Sequence, residues 1–269
     1  MEFVWSDIFF AFAVTSLAGL ATALGAVLIF FKPPNPRLLA FGLAFAAGAM
    51  VYISLAEILQ KSIESFAETY GADHGFIAGT LAFLAGLCLI ALIDILVPNP
   101  HERLSPEELN GASDKDKRAH LRRIGLMTAI AVTAHNFPEG LATFFAMLES
   151  PALGIPLAVA IAIHNIPEGI SIALPIYAAT NSKKLAFLAA LGSGLAEPIG
   201  AIIGFALLAP FMSDTVFGAV FGLIAGIMVY LALDELMPAA KRYAKGHETV
   251  YGLVSGMGIM AFSLILFAI

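Results

Sequence analysis

Long apolar runs separated by shorter polar connections dominate this chain. Eight such runs can be read along the sequence, at 7–31, 38–59, 76–97, 124–148, 153–179, 185–208, 216–236 and 250–269. A helix needs about 20 consecutive apolar residues to cross the hydrocarbon core of a bilayer. The pattern therefore predicts an all-α integral membrane protein with eight transmembrane helices, forming one domain over residues 1–269.

The connections between the runs differ in their content of lysine and arginine. Numbered in order, the odd connections hold 13 of these residues, and the even connections hold only Lys61. Because basic residues concentrate in cytoplasmic loops, we expect the odd connections, including a long polar loop at about 98–123, to be cytoplasmic. Both termini then lie outside the cell (inner) membrane. The first residues, MEFVWSD, lack the basic start of a signal peptide, so we expect the first run to remain as a span.

The composition agrees with a protein that is dissolved in lipid. The chain is 59% hydrophobic and 13% charged, with a mean hydropathy of +0.89, whereas soluble domains carry roughly 25% charged residues. The net charge is −6 and the basic residues form no stripe, so the expected partner is a lipid bilayer and not a nucleic acid. The single cysteine, Cys88, excludes a disulfide framework or a cysteine-rich metal site.

Two copies of one polar motif interrupt the apolar runs. HNFPEG begins at His135 in the fourth run, and HNIPEG begins at His164 in the fifth. Residues four apart share a face of a helix, so each histidine stands one turn from the glutamate of its own motif, Glu139 or Glu168. Since successive spans run antiparallel, both motifs are expected at a similar depth in the membrane.

Asparagine and proline add further oxygen ligands to this region. Asn136 and Asn165 lie three residues before the two glutamates and can turn to the same side. Pro138 and Pro167 cannot donate a backbone hydrogen bond, so they are expected to kink their helices and to free a carbonyl oxygen. In the sixth run, LAEPIG places Glu197 directly before another proline.

The interiors of the runs contain carboxylates but no lysine or arginine. A charged side chain at the centre of a bilayer costs at least about 2.5–3.5 kcal/mol, so protons or a mobile cation must supply the compensating charge. Imidazole nitrogens with carboxylate and amide oxygens suit Zn²⁺, Fe²⁺, Mn²⁺, Co²⁺ or Cd²⁺, at one site or at two adjacent sites. The predicted ligands are His135, Asn136, Glu139, His164, Asn165, Glu168 and Glu197.

Four further carboxylates lie nearer the ends of the runs. Glu57 lies towards the outward end of the second run and is a candidate entrance ligand. Asp94, Asp234 and Glu235 lie towards cytoplasmic ends and are candidates for an exit relay. Carboxylates at helix ends are often only solvated, so both interpretations stay open.

The doubled HN-x-PEG motif, the EPIG of the sixth run and the eight predicted helices resemble the ZIP (Zrt/Irt-like) family of divalent metal transporters, in particular a bacterial zinc-transporting subgroup. The resemblance covers essentially the whole chain. It implies a 3+2+3 arrangement, in which helices 1–3 and 6–8 form an inverted repeat around helices 4 and 5. It also implies elevator-type alternating access, homodimers in many members, and transport of zinc, iron, manganese, cobalt and cadmium into the cytoplasm.

The resemblance also implies how the ligands are shared between two metal sites. The first site would use His135, Glu139, His164 and Glu168, and the second Asn136, Glu139, Asn165, Glu168 and Glu197. Relatives can carry aspartate where this chain has Asn165, so the second site here has one negative charge fewer.

Two other functions compete with transport. An intramembrane metal-dependent hydrolase would need a metal and an activated water, but the sequence has no H-E-x-x-H motif and places a proline inside each candidate motif. A membrane sensor would bind metal without moving it. We expect a transporter and not an enzyme, and we expect its uptake to fall on mild acidification because metal must displace protons from its ligands.

Overall fold

A computed structural model describes residues 4–31, 35–96 and 114–268, and within these ranges the chain is helical and has no strand. The helices are α1 (Trp5–Leu28), α2 (Pro36–Ile53), α3 (Leu59–Tyr70), α4 (Ala72–Leu96), α5 (Asp114–Glu149), α6 (Pro151–Thr180), α7 (Lys183–Gly194), α8 (Ala196–Leu208), α9 (Asp214–Leu231), α10 (Met237–Tyr243) and α11 (Glu248–Ala268). A π turn at Ser54–Ile58 joins α2 to α3, and a second at Ala232–Leu236 joins α9 to α10.

Seven helical stretches of the described residues are long and apolar enough to cross a membrane, which makes this a multi-pass membrane protein. They are Trp5–Leu28, Pro36–Tyr70, Ala72–Leu92, Pro151–Thr180, Lys183–Phe211, Asp214–Tyr243 and Glu248–Ile265. The fourth predicted span, 124–148, is not among the seven and lies within α5, a helix of 36 residues. Large apolar side chains such as Phe76 and Leu207 are more than 60% exposed, as lipid-facing residues would be.

The second predicted helix does not end at residue 59, as its apolar run indicated. The helix continues through α3 to Tyr70, across the polar stretch QKSIESFAETY. This stretch is amphipathic: it buries Ser62 and Phe66, and α3 packs against α4 and α9. Gly71 then ends the helix in a conformation with φ of 84°, which favours glycine.

The predicted loop at about 98–123 also needs a correction. Residues 114–123 form the first turns of α5, so the polar sequence DKDKRAHLRR is helical. The remainder of that loop, 98–113, lies outside the described residues. The basic side chains of these first turns include the exposed Arg118, Arg122 and Arg123.

The prolines differ in their effect on the helices. Both α5 and α6 run as helix through Pro138 and Pro167. The sixth run is interrupted at Leu195, between α7 and α8. Pro198 cannot donate to the carbonyl of Gly194, which accounts for the interruption. The new helix, α8, carries Glu197 in its first turn.

The helices pack in two groups. The first group consists of α1, α5, α6, α7 and α8, and the second of α2, α3, α4, α9, α10 and α11. Within the first group, α6 packs along both α1 and α5; within the second, α11 packs along α2 and α9 along α4. Contacts between the groups are sparser and run mainly between α2 and α6 and between α5 and α9.

An internal repeat surrounds the two π turns. MVYISLAEIL starts at Met50 and MVYLALDELM starts at Met228, and five of the ten aligned residues are identical. The π turns fall at the same place in both copies. Ser62 Oγ in α3 donates a hydrogen bond to the carbonyl of Gly218 near the start of α9. At the other end of the pair, α10 packs on α2. The two segments therefore run antiparallel. The repeat is therefore inverted.

Candidate metal site

Three helices bring the seven predicted ligands into one buried region. Each of the two HN-x-PEG motifs lies within a long helix, α5 or α6, and Glu197 comes from the first turn of α8. All seven residues are at most 1% exposed: His135, Asn136, Glu139, His164, Asn165, Glu168 and Glu197. The predicted convergence of the two motifs is thus present in the fold.

The imidazoles and carboxylates form crossed pairs between α5 and α6. His135 Nε2 lies 3.2 Å from Glu168 Oε1, and His164 Nε2 lies 3.3 Å from Glu139 Oε2. Only the second contact also has hydrogen-bond geometry. Each histidine therefore contacts the glutamate of the other motif, not the one a turn away on its own helix.

The asparagines join this centre to the surrounding helices. Asn165 Nδ2 donates to Glu197 Oε1 at 2.5 Å and to the backbone carbonyl of Ala18 in α1 at 2.9 Å. Asn136 Nδ2 donates to the carbonyl of Ser193, near the end of α7, at 3.1 Å. Both side-chain amides are oriented by these donated bonds, which leave their Oδ1 atoms without a partner.

Close helix approach holds α1 and α8 against this centre. A methyl group added at Gly169, next to Glu168, would meet the backbone carbonyl oxygen of Thr22 in α1. One added at Gly140, next to Glu139, would meet the backbone of Glu197. Small residues are what allow membrane helices to approach so closely, so the glycine that ends each HN-x-PEG motif has a packing role.

Unpaired polar atoms concentrate at the site. Of the twelve buried side-chain nitrogen and oxygen atoms without a hydrogen-bond partner in the described part of the chain, nine belong to the seven predicted ligands. Buried polar groups are nearly always paired, so such a concentration is typical of a site that binds something. No three His, Cys, Asp or Glu side chains among the described residues already surround a common centre. The ligands are therefore arranged as pairs and not as a preformed metal cluster.

A narrow cavity of about 40 Å³ reaches His135 from one end of the bundle. This end, where α2 and α5 begin and α10 ends, is called the basic end here because it carries Arg37, Lys241 and Arg242. The cavity is lined by Leu43, Thr128, Val132, His135, Ser171, Glu235, Leu236, Ala239, Arg242 and Tyr243. In the opposite direction, after the site along α5 and before it along α6, the large side chains of Phe144, Phe145 and Leu157 are at most 2% exposed.

The chain is similar to known transporters along nearly its whole length. The model of the ZIP zinc transporter family matches residues 98–264. The chain is 64% identical to the zinc transporter ZupT of Stenotrophomonas maltophilia, over 97% of both chains. It is 62% identical to that of Neisseria meningitidis serogroup B, over 99% of this chain and 98% of the relative, and 49% identical to that of Chlorobium chlorochromatii, over 97% and 98%.

The chain belongs to the ZIP zinc transporter family. This membership confirms the resemblance read from HNFPEG, HNIPEG and EPIG. The family is one of transporters, which agrees with the prediction that the chain is not an enzyme.

The predicted relay residues of this ZIP chain come from other helical segments than the seven. Glu57 is half-buried in the π turn Ser54–Ile58, and Asp234 and Glu235 are half-buried in the π turn Ala232–Leu236. Among these three, Glu235 lines the same cavity as His135. Asp94 lies near the end of α4, and its side chain is outside the described part of the structure.

Sequence reasoning missed the other polar residues that line this cavity. Thr128 lies seven residues before His135 and Ser171 seven residues after His164, so each stands two turns from a motif histidine on the same face of its helix. That spacing could have identified them. Arg242 could not have been identified in this way, because it comes from a different helix.

Proposed function

We propose that this chain carries zinc across the cell's inner membrane into the cytoplasm, through a site near the middle of the bilayer on α5, α6 and α8. The observation that supports this most is the group of seven buried polar residues, in which nine nitrogen and oxygen atoms have no hydrogen-bond partner. Iron, manganese, cobalt and cadmium are proposed as further cargo, since their divalent ions also accept nitrogen and oxygen ligands.

The crossed His–Glu pairs suggest how a metal would enter the site. Glu139 and Glu168 each contact the imidazole of the opposite helix. A divalent cation between α5 and α6 would replace the imidazole protons and draw both carboxylates towards itself. Because histidine and carboxylate must be deprotonated to bind metal, loading would release protons. The amide oxygens of Asn136 and Asn165, which have no partner, are available on the side of Glu197 for a second ion.

An eight-span arrangement with an inverted repeat is the topology we propose. It counts the helix α5 as the fourth span, in addition to the seven stretches described above. The antiparallel copies at Met50 and Met228 support the inverted repeat. Basic side chains at one end of the bundle, such as Arg37, Lys241 and Arg242, support a cytoplasmic location for that end. Both termini would then be extracytoplasmic.

Elevator-type alternating access is supported by the two helix groups. All seven proposed ligands lie in the group formed by α1, α5, α6, α7 and α8, whose contacts with the other group are sparse. The cavity from the basic end and the buried aromatic residues on the other side of the site support the interpretation that this state would face the cytoplasm. Movement of the ligand group along α2 and α9 would expose the site to the other side. A homodimer, as implied by the family resemblance, would hold the second group fixed.

Zinc flux into proteoliposomes that contain a zinc-sensitive dye tests this proposal. The intact protein should show saturable influx, and both Glu139→Ala and His164→Ala should abolish it. Gly192→Ala provides a matched control on the same bundle, because a methyl group there meets nothing within 4 Å. Zinc binding without flux in the intact protein, under either direction of pH gradient, would overturn transport and favour the sensor. Cleavage of a membrane substrate by the purified protein would favour the hydrolase.

A further inference from the structure

A path for a divalent cation would be expected to avoid fixed positive charge, yet Arg242 lines the cavity that leads to His135. Arginine keeps its charge at every physiological pH. Glu235 lines the same cavity, seven residues earlier on the helix that crosses the second π turn. A carboxylate and a guanidinium therefore share the narrow space between the site and the basic end.

Membrane topology alone does not explain this position. Basic residues at the cytoplasmic end of a helix usually serve to orient it, and Lys241 and Lys245, which are exposed as Arg242 is, fit that role. Neither of them lines the cavity, whereas Arg242 does. A spacing of seven residues brings Arg242 close to the helix face of Glu235, two turns away.

We propose that Arg242 controls the release of metal, by competing with the departing ion for Glu235 and by shortening the time a divalent cation spends in the exit cavity. This inference rests on the proposed transport function. The cavity has a volume of about 40 Å³ and both side chains line it, so an ion that leaves through it passes both charges. Charges closer together than about 10 Å, the Debye length at 0.1 M salt, are not fully screened.

The two charges would act in opposite directions on a leaving ion. Glu235 attracts the metal out of the ligand set and towards the cytoplasm. Arg242 returns to Glu235 as the ion departs, so that the carboxylate does not hold the metal ion in the cavity. A conducting pathway needs binding that is strong enough to admit an ion and weak enough to release it. Without the guanidinium, zinc already present in the cytoplasm should occupy the cavity at lower concentrations and block further uptake.

The test is inhibition of uptake by zinc on the cytoplasmic side. Right-side-out proteoliposomes are loaded with a series of zinc concentrations, and influx of radioactive zinc is measured for the intact chain, Arg242→Gln, Arg242→Lys and Lys241→Gln. We expect Arg242→Gln to lower the half-inhibiting internal zinc concentration about five-fold, equivalent to about 1 kcal/mol at 1.4 kcal/mol per tenfold. Arg242→Lys keeps the positive charge, so its half-inhibiting zinc concentration should stay close to that of the intact chain. Lys241→Gln removes the same charge outside the cavity and should leave the value unchanged.

A second variant keeps the inference testable if Arg242→Gln fails to fold. Glu235→Gln should raise the half-inhibiting internal concentration, and adding Arg242→Gln to it should have little further effect. The role of Arg242 would be overturned if Arg242→Gln and Lys241→Gln had the same half-inhibiting zinc concentration, or if Glu235→Gln left this concentration unchanged. Saturable influx by the intact chain would in that case still support transport. Absence of influx in the intact chain would instead reject the proposed function itself.

Discussion

Replacing Asn165 by aspartate is expected to make the stability of this protein depend on bound metal. The Asn165 side chain donates two hydrogen bonds in a region that excludes solvent, to Glu197 Oε1 at 2.5 Å and to the carbonyl of Ala18 at 2.9 Å. An ionised aspartate can donate neither bond. It would also place a second carboxylate against Glu197, and two carboxylates in contact cannot both stay charged without a cation.

The size of the effect follows from the two bonds. A hydrogen bond to a charged acceptor contributes about 1.5–3 kcal/mol and one to a neutral acceptor about 0.5–1.5 kcal/mol. Because a protonated aspartate can still donate to Glu197, only the bond to the Ala18 carbonyl is lost outright. This loss and the uptake of the proton should together lower the free energy of unfolding of the metal-free protein by about 1–3 kcal/mol. Asn136→Asp, at another proposed ligand of the same site, is the comparison: Asn136 donates one bond, to the neutral carbonyl of Ser193, whose loss should cost about 1 kcal/mol.

Metal should reverse the loss in Asn165→Asp. A ligand at 100 times its Kd stabilises the folded state by about 2.7 kcal/mol, and an added carboxylate strengthens the oxygen ligand set. Thermal unfolding of the detergent-solubilised protein, measured with a chelator and with zinc, checks this. Zinc should raise the unfolding temperature of Asn165→Asp more than that of the intact chain. An unchanged unfolding temperature with chelator, or an equal response to zinc in both proteins, would refute the assignment of Asn165 and Glu197 to one metal site.

Three further outcomes are expected. Zinc uptake should fall as the pH is lowered from about 8 to 5, since protons compete with metal for imidazole and carboxylate ligands; a flat profile in proteoliposomes would contradict this. Gly169→Ala should cost about 1–3 kcal/mol through its clash with the Thr22 carbonyl, whereas Gly192→Ala should unfold like the intact chain, and equal melting temperatures would disprove the close approach. Ser62→Ala should cost about 1 kcal/mol by losing the 2.6 Å bond to the Gly218 carbonyl, with zinc affinity unchanged.

The membrane class and the meeting of the two motifs could be predicted from the sequence because both depend on local pattern. Apolar runs indicate helices that cross a bilayer. The doubled motif places an imidazole and a carboxylate on one face of each of two helices. The pairing partner could not be predicted in this way. Histidine and glutamate four residues apart on one helix suggest a contact within the helix, whereas His135 contacts Glu168 on the neighbouring helix. The relative rotation of α5 and α6 decides this, and it depends on packing across the whole interface.

The inverted repeat and the length of the helices show a different limit. MVYISLAEIL and MVYLALDELM are visible in the sequence, but their significance becomes clear only when both are seen to contain a π turn at the same place. The extension of the second run to Tyr70 was missed because hydropathy finds apolar spans and not amphipathic helices beyond them. Phe66 and Ser62, one turn apart and both buried, are the signal that marks this extension.

The crossed pairs give a physical reason why an uptake system would keep two histidines beside two glutamates. A carrier that works by alternating access must return through the membrane without its cargo. Bare carboxylates would make that step costly, because charge in the bilayer interior is unfavourable. With a proton on each imidazole, the pairs His135–Glu168 and His164–Glu139 are electrically neutral. In the proposed cycle an incoming cation would replace the protons. The loaded and the empty site would then both cross with their carboxylates compensated, and the doubled motif would serve both halves of the cycle.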